Sequence, residues 1–262
     1  MRLTAFFLLS ALLLCAVAVT VHAPFRYSDQ DRANISSPSS SVHPAGTDEL
    51  GRDRMLRVAS ALLLGLAGAA LAAALATGIA VGAGACAAFG PPGIRSIVLY
   101  LSDAALTLPW LFLLMMVRGA LPLNLAPAHS ALLTFVLLGL LGWPAFVRMN
   151  HARAAALRNA GWMFHGRASG LRAAQLARHL IPHFAPLLLT QFLIYVPVAV
   201  VAEANLGAMG LGVSEPLPSW GGMLLALQSA ALMTPSAWNI LPIAMLVGVL
   251  LLLEMLLFEV KS

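Results

Sequence analysis

The chain has 262 residues, 60% of them hydrophobic and only 10% charged, with a net charge of +5. A soluble domain carries about 25% charged residues, so this composition excludes a soluble enzyme, a nucleic-acid-binding domain and a disulfide scaffold. The apolar residues fall in blocks close to the roughly 20 residues that cross a hydrocarbon core of about 30 Å, which predicts an all-α polytopic membrane protein with about six transmembrane helices.

The first block, Leu3 to Val21, follows Met1-Arg2 and predicts a transmembrane helix within residues 1–23. It is signal-like, with Val21-His22-Ala23 as a candidate cleavage site, but its length favours an uncleaved span. Residues 24–57 are polar and Ser-rich and predict an extracytoplasmic loop. Their five arginines are matched by Asp29, Asp31, Asp48, Glu49 and Asp53. The rest, 58–262, reads as a core with five more spans. Val58 to Phe89 is rich in Ala and Gly, and Gly78 with Gly82 forms a small-xxx-small pair. Gly65, Gly68 and Gly84 add further points where helix backbones could approach closely.

Ile97 to Val117 is the third span and carries Asp103 and Pro109. Ser130 to Phe146 is the fourth. A basic stretch, about 147–183, follows. Phe184 to Ala202 is the fifth span, a Gly/Pro-rich loop extends to about Pro235, and Asn239 to Phe258 is the sixth. Pro109, Pro144, Pro186, Pro197 and Pro242 are expected to kink spans or mark their ends. Arg148, Arg153, Arg158, Arg167, Arg172 and Arg178 lie in the 147–183 stretch with no acid among them. Basic residues collect on the cytoplasmic side, which places this stretch and both termini there. Cys15 and Cys86 lie in apolar runs, and no metal-ligating pattern is present.

An ionisable residue inside a span is a functional candidate, because burying a charge there costs about 2.5–3.5 kcal/mol on insertion scales. Asp103 is the clearest. It either bonds Ser102, Thr107 or a neighbouring helix, or contacts solute; the packing role is favoured.

Three polar segments are too specific for generic loops. Gly46-Thr47-Asp48, then Gly51-Arg52-Asp53, precedes the second span. The basic stretch contains Leu157-Arg158, Arg167, Gly170-Leu171, Arg178 and Pro182. Glu203 is followed by Gly210-Leu211-Gly212-Val213 and Pro218-Ser219-Trp220-Gly221. In this order they resemble the permease subunits of binding-protein-dependent ABC importers, in the second permease type of the dipeptide, oligopeptide and nickel group. Asp103 also fits that family's third span.

The resemblance implies a helical permease that forms half of a pathway for peptides or a similar small solute. It implies as partners a second homologous permease, two cytoplasmic ATPase subunits, an extracytoplasmic solute-binding protein and membrane lipid, and no nucleic acid. Nickel chelates and sugars are other possible solutes. It places an "EAA" ATPase-coupling helix in the basic stretch, with Phe164, His165 and Gly166 where the family has Glu-Ala-Ala, followed by Arg167 and Gly170. The family acid is missing there, and its Gly-Asp-Gly-Leu-Arg-Asp tail has no counterpart. It gives Glu203 a role at the outer gate or at the face that meets the binding protein.

From the residues themselves, Gly170 to Ile181 reads as an amphipathic helix ended by Pro182. It suits either ATPase docking or attachment to anionic lipid. No G-x-x-x-x-G-K-[ST] loop occurs, and the sole lysine is Lys261, so no cofactor is expected in this chain and ATP hydrolysis falls to a separate subunit. Two other readings remain: a degenerate permease that assembles without pumping, and a membrane-embedded lipid-modifying enzyme, for which the polar groups are too scattered.

Overall fold

The structure, a computed structural model, describes residues 2–122, 125–170, 173–233 and 240–258. Ten helices follow in order: α1 Arg2–His22, α2 Arg54–Phe89, α3 Pro92–Thr107, α4 Trp110–Ala120, α5 Pro127–Gly142, α6 Pro144–Arg158, α7 Gly161–Ala168, α8 Ala173–Ala208, α9 Trp220–Met233 and α10 Leu241–Phe258. Among the described residues the only extended pairing is an isolated bridge between Thr47 and Asp53. The all-α polytopic class is as the composition requires.

Among the described residues three helices are individually long and apolar enough to cross a membrane: Leu3–His22, Arg54–Phe89 and Pro182–Ala208. Two bent pairs, α3 with α4 at 90° and α5 with α6 at 48°, pass the same test when each pair is taken together as one broken span. The apolar α10 has 18 residues. Prolines explain the breaks. Leu108 precedes Pro109 and is extended, at φ −80° and ψ 137°, because a proline ring excludes the helical conformation from the residue before it. Pro144 opens α6, where its missing N–H loses no helical bond.

Two expectations about element ends need correction. The helix expected over Gly170 to Ile181 is not closed by Pro182, and residues 171 and 172 of it lie outside the described residues. From Ala173 the helix α8 runs through Pro182, Pro186 and Pro197 to Ala208. A proline removes one backbone bond, and a long helix at or in the membrane tolerates that loss. The stretch after Ala202 is likewise less irregular than its glycines suggest, since α8 continues to Ala208 and α9 begins at Trp220.

The chain divides into two compact units. The first comprises Met1–Ala70, Val117–Phe135 and Val196–Ser262. Within it α1 packs along α10, and α10 against α9. A side chain on Gly65 would overlap the indole of Trp220, and one on Gly68 the ring of Phe135.

The second unit comprises Leu71–Met116 and Val136–Tyr195. There α3 packs on α6, and Ala88, Ala154, Leu157 and Phe184 form a buried apolar cluster. Polar groups inside it are paired, as buried polar groups must be. Asn150 Nδ2 donates to Gln191 Oε1 at 3.0 Å, and the Tyr195 hydroxyl donates to the Leu138 carbonyl at 2.7 Å. Gly84 lies against Asn150 and His151, whereas Gly78 and Gly82 have nothing of the described chain within 4 Å. Close approach is set by where other helices lie, which small-residue spacing alone does not encode.

Candidate functional site

Signature residues Gly46 to Asp53 fold into a tight hub rather than a loose loop. Gly46 and Gly51 take φ of +70° and +76°, a region that only glycine enters without strain. A side chain on Gly51 would run into the backbone of Asp31, and one on Gly46 into that of Ser37. Thr47 is fully buried. Its hydroxyl accepts from the Ser37 N–H at 2.9 Å and donates to the Asn34 carbonyl. Asp48 Oδ1 accepts from the N–H groups of Leu50 and Arg52, each at 2.9 Å. Asp53 caps α2 by accepting from the Leu56 N–H at 2.7 Å, and its other oxygen lies 2.9 Å from His43 Nδ1. That is the arrangement that satisfies an exposed helix N-terminus.

The hub then reaches across to the outer loop. Arg52 donates to Asp48 and to Glu215, each at 2.7 Å. Arg57 donates to Glu215 Oε1 at 2.9 Å and to the Pro216 carbonyl at 3.3 Å. Two buried guanidiniums therefore share one half-exposed carboxylate (Glu215 side chain 51% exposed). Glu215 was not singled out from the sequence. It is the only acid between Glu203 and Glu254, and that isolation is the signal that could have found it.

The outer loop itself is built on backbone contact. Gly207 near the end of α8 and Gly221 at the start of α9 touch so closely that a side chain on either would overlap the other's backbone, and Gly212 lies against Gly207. This contact explains why the loop needs glycines at these positions. Trp220 is buried, and Gly210 turns the chain out of α8 with φ +75°. Pro218 lies in the loop before α9. Glu203 is 1% exposed. Its carboxylate faces Ser219 and the first N–H groups of α9, none aligned closely enough to make a geometric hydrogen bond. The positive end of the α9 dipole faces it there. Arg118, also unforeseen, is buried and donates to Ser130 Oγ at 3.1 Å and the Gly212 carbonyl at 3.4 Å. Ser130 and Ser214 hydroxyls are 2.9 Å apart. Beside this loop is an open-sided cavity of about 640 Å³ lined by Gly207, Gly210, Ser214, Glu215 and Gln228.

The basic stretch is different. α6 carries Arg148, whose guanidinium grips Asp103 on α3 in a two-pronged pair, Nε to Oδ1 at 2.8 Å. Arg148 thus ties one bent pair, α5 with α6, to the other, α3 with α4. Arg158 donates to the Ala88 carbonyl at 2.6 Å, satisfying the end of α2. α7 holds the residues at the Glu-Ala-Ala positions. Phe164 is 75% exposed, His165 is exposed, and Met163 between them and the chain is buried. Trp162 stacks on His183 at 5.2 Å. Gly170 then turns with φ +76°, and a side chain there would meet nothing within 4 Å. Pro182 is exposed on α8, and Gly166 is partly covered. Leu171 lies outside the described residues, as do the side chains of Arg167 and Arg178.

Residues 74–259 match the family described as binding-protein-dependent transport system inner membrane component. Among curated relatives, a Brucella suis biovar 1 protein named as a peptide permease is 30% identical over 88% of this chain and 75% of its own length. The oligopeptide transport system permease protein OppC of Bacillus subtilis is 27% identical over 81% of this chain and 68% of its own. The di/tripeptide transport system permease protein DppC of Pseudomonas aeruginosa is 29% identical over 80% and 70%. The chain belongs to this family: it is a multi-pass permease subunit of a binding-protein-dependent ABC importer in the inner membrane, a transport component that works with ATPase and substrate-binding partners and not an enzyme.

Proposed function

We propose that the chain is the second-type permease of a peptide importer and pairs with a homologous permease around a central pathway. Two cytoplasmic ATPases dock on the 161–182 region, both termini are cytoplasmic, and residues 24–57 are extracytoplasmic. The binding protein meets the outer loop near residues 205–222, where the cavity beside Ser214 and Glu215 opens. Names of the relatives, which specify oligopeptides and di/tripeptides, support peptides as the solute.

The observation that carries this reading is the form of the coupling segment. α7 presents an exposed Phe164, Gly170 after it is left-handed, and from Ala173 a helix continues without a break into a span. A soluble partner pushing on α7 would move that span as a rigid body, which is the hinge-and-lever kind of transition. The test is co-purification with candidate ATPases, followed by solute-stimulated ATP hydrolysis in liposomes. Assembly with stimulation by peptides is expected. Assembly without stimulation would favour the second reading, a permease that no longer pumps, which Phe164 in place of the family acid supports.

A further inference from the structure

Two cavities flank the first turn of α2, one lined in part by charged residues and one apolar. One, of about 260 Å³, is lined by Glu49, Arg54, Met223 and Pro242 among others. The other, of about 330 Å³, is lined by Cys15, Ala16, Met55, Ala59 and Leu241 among others, and its wall is apolar. Val58 lines both, and both reach the start of α10 at Leu241 and Pro242.

The charges in the first cavity are unequal in status. Arg52 and Arg57 are neutralised by Asp48 and Glu215. Among the described residues Arg54 and Glu49 belong to none of these close pairs, yet Arg54 feels the charges of Asp48 and Glu49, so one cation and one anion face each other across the same cavity. Arg54 is half-buried and is the first residue of a span, with a polar loop on one side and 35 further helical residues on the other. That is the depth at which lipid phosphates lie and at which basic side chains anchor.

We propose that this is a binding site for a single phospholipid with a phosphoethanolamine headgroup. The phosphate pairs with Arg54, the ammonium pairs with Glu49, and one acyl chain fills the apolar cavity between α1, α2 and α10. A zwitterion lying between these two opposite charges would pair with both, and a headgroup that is only anionic would leave Glu49 opposing it. A free peptide zwitterion would leave the adjoining apolar cavity unused. The lipid would wedge α1 against the rest of its unit, independently of solute transport.

The test uses the full chain in vesicles doped with phosphatidylethanolamine bearing a diazirine on one acyl chain. After irradiation and digestion, adducts should concentrate on residues 12–19 and 55–62. Arg54→Gln should lower their yield about fivefold, the loss of one basic contact at a membrane surface, and Arg54→Lys should retain most of it. Adducts on the exposed apolar face of α3 serve as the internal control, since misfolding would alter both sets. The same diazirine on phosphatidylglycerol should label these segments no better than the Arg54→Gln chain does. Even labelling of all exposed apolar faces, equal yields from the two headgroups, or indifference to Arg54→Gln would overturn the proposal. Loss of the label when the chain is assembled with its sister permease would also overturn it, because the occupant would then be protein.

Discussion

The hub around Gly46 to Asp53 and the α7 segment proposed above for coupling are both short polar stretches between spans, and they are built on opposite terms. In the hub, Thr47, Arg52, Asp53 and Arg57 are buried, each with named partners, and glycines sit against backbone. In the coupling segment, Phe164 and His165 are exposed and Gly170 touches nothing. The first region is closed by its own chain. The second has the form of a surface awaiting a partner. Burial therefore separates residues that hold the permease together from residues free to work with something else, although both sets carry family motifs.

The strongest challenge to that contrast is Gly221→Val. The added side chain would meet the backbone of Gly207 and the carbonyls of Ala204 and Glu203, and backbone has no rotamer to yield. Destabilisation of about 3 kcal/mol is expected, read as lost monodisperse yield and lowered melting temperature in detergent. Glu215→Gln comes next. It strips the shared counter-charge from two buried arginines, which for a sealed pair costs about 3–5 kcal/mol. Because Glu215 is half exposed, about 2 kcal/mol is expected, seen in thermal unfolding and in faster proteolysis of the 24–53 loop. Thr47→Val keeps the volume but leaves the Ser37 N–H and Asn34 carbonyl without their partner, for a loss of about 1.5 kcal/mol.

The coupling segment should answer differently. Gly170→Ala forces a side chain into a left-handed turn at about 1 kcal/mol, with no clash inside the chain. Stability should fall little while retention of the ATPase in pull-downs falls clearly. Phe164→Ala should leave the melting temperature within the scatter expected of a surface change, about 0.5 kcal/mol, and should still weaken ATPase retention. If Phe164→Ala unfolds the chain as readily as Gly221→Val, the contrast between closed and open regions is wrong.

Much of the fold was legible because membrane length and apolarity leave few choices. Every expected span contains a helix, and Pro109 and Pro144 mark real bends. The 173–181 piece of α8 was misread because Pro182 is a stop signal in a soluble helix and only a missing bond here. α9 was hidden by the glycines around it, whose role is contact with Gly207 rather than flexibility. The hub's motif was visible as Gly46 to Asp53, but its attachment to Glu215 was not, since the pairing spans 163 positions between Arg52 and Glu215. Local charge balance in 24–57 suggested a self-neutralising loop. In the fold, Arg52 and Arg57 keep Asp48 as a neighbour but also reach outside the loop to Glu215. The coupling positions could be located by the family's order of motifs, while the exposure of Phe164 needed coordinates.

The length of α2 carries one more consequence, for the membrane itself. From Val58 to Phe89 no charged residue interrupts it, and 32 residues at 1.5 Å each make about 48 Å of apolar rod. A bilayer core is about 30 Å thick. Tilting alone would have to exceed roughly 50°, beyond the 0–40° over which spans lean. The surplus end calls for protein cover or a locally thickened bilayer, and the Ala88, Ala154, Leu157 and Phe184 cluster covers one side of it while Cys86 and Phe89 stay exposed. A thicker membrane would relieve that cluster, and a thinner one would press more of α2 into its keeping.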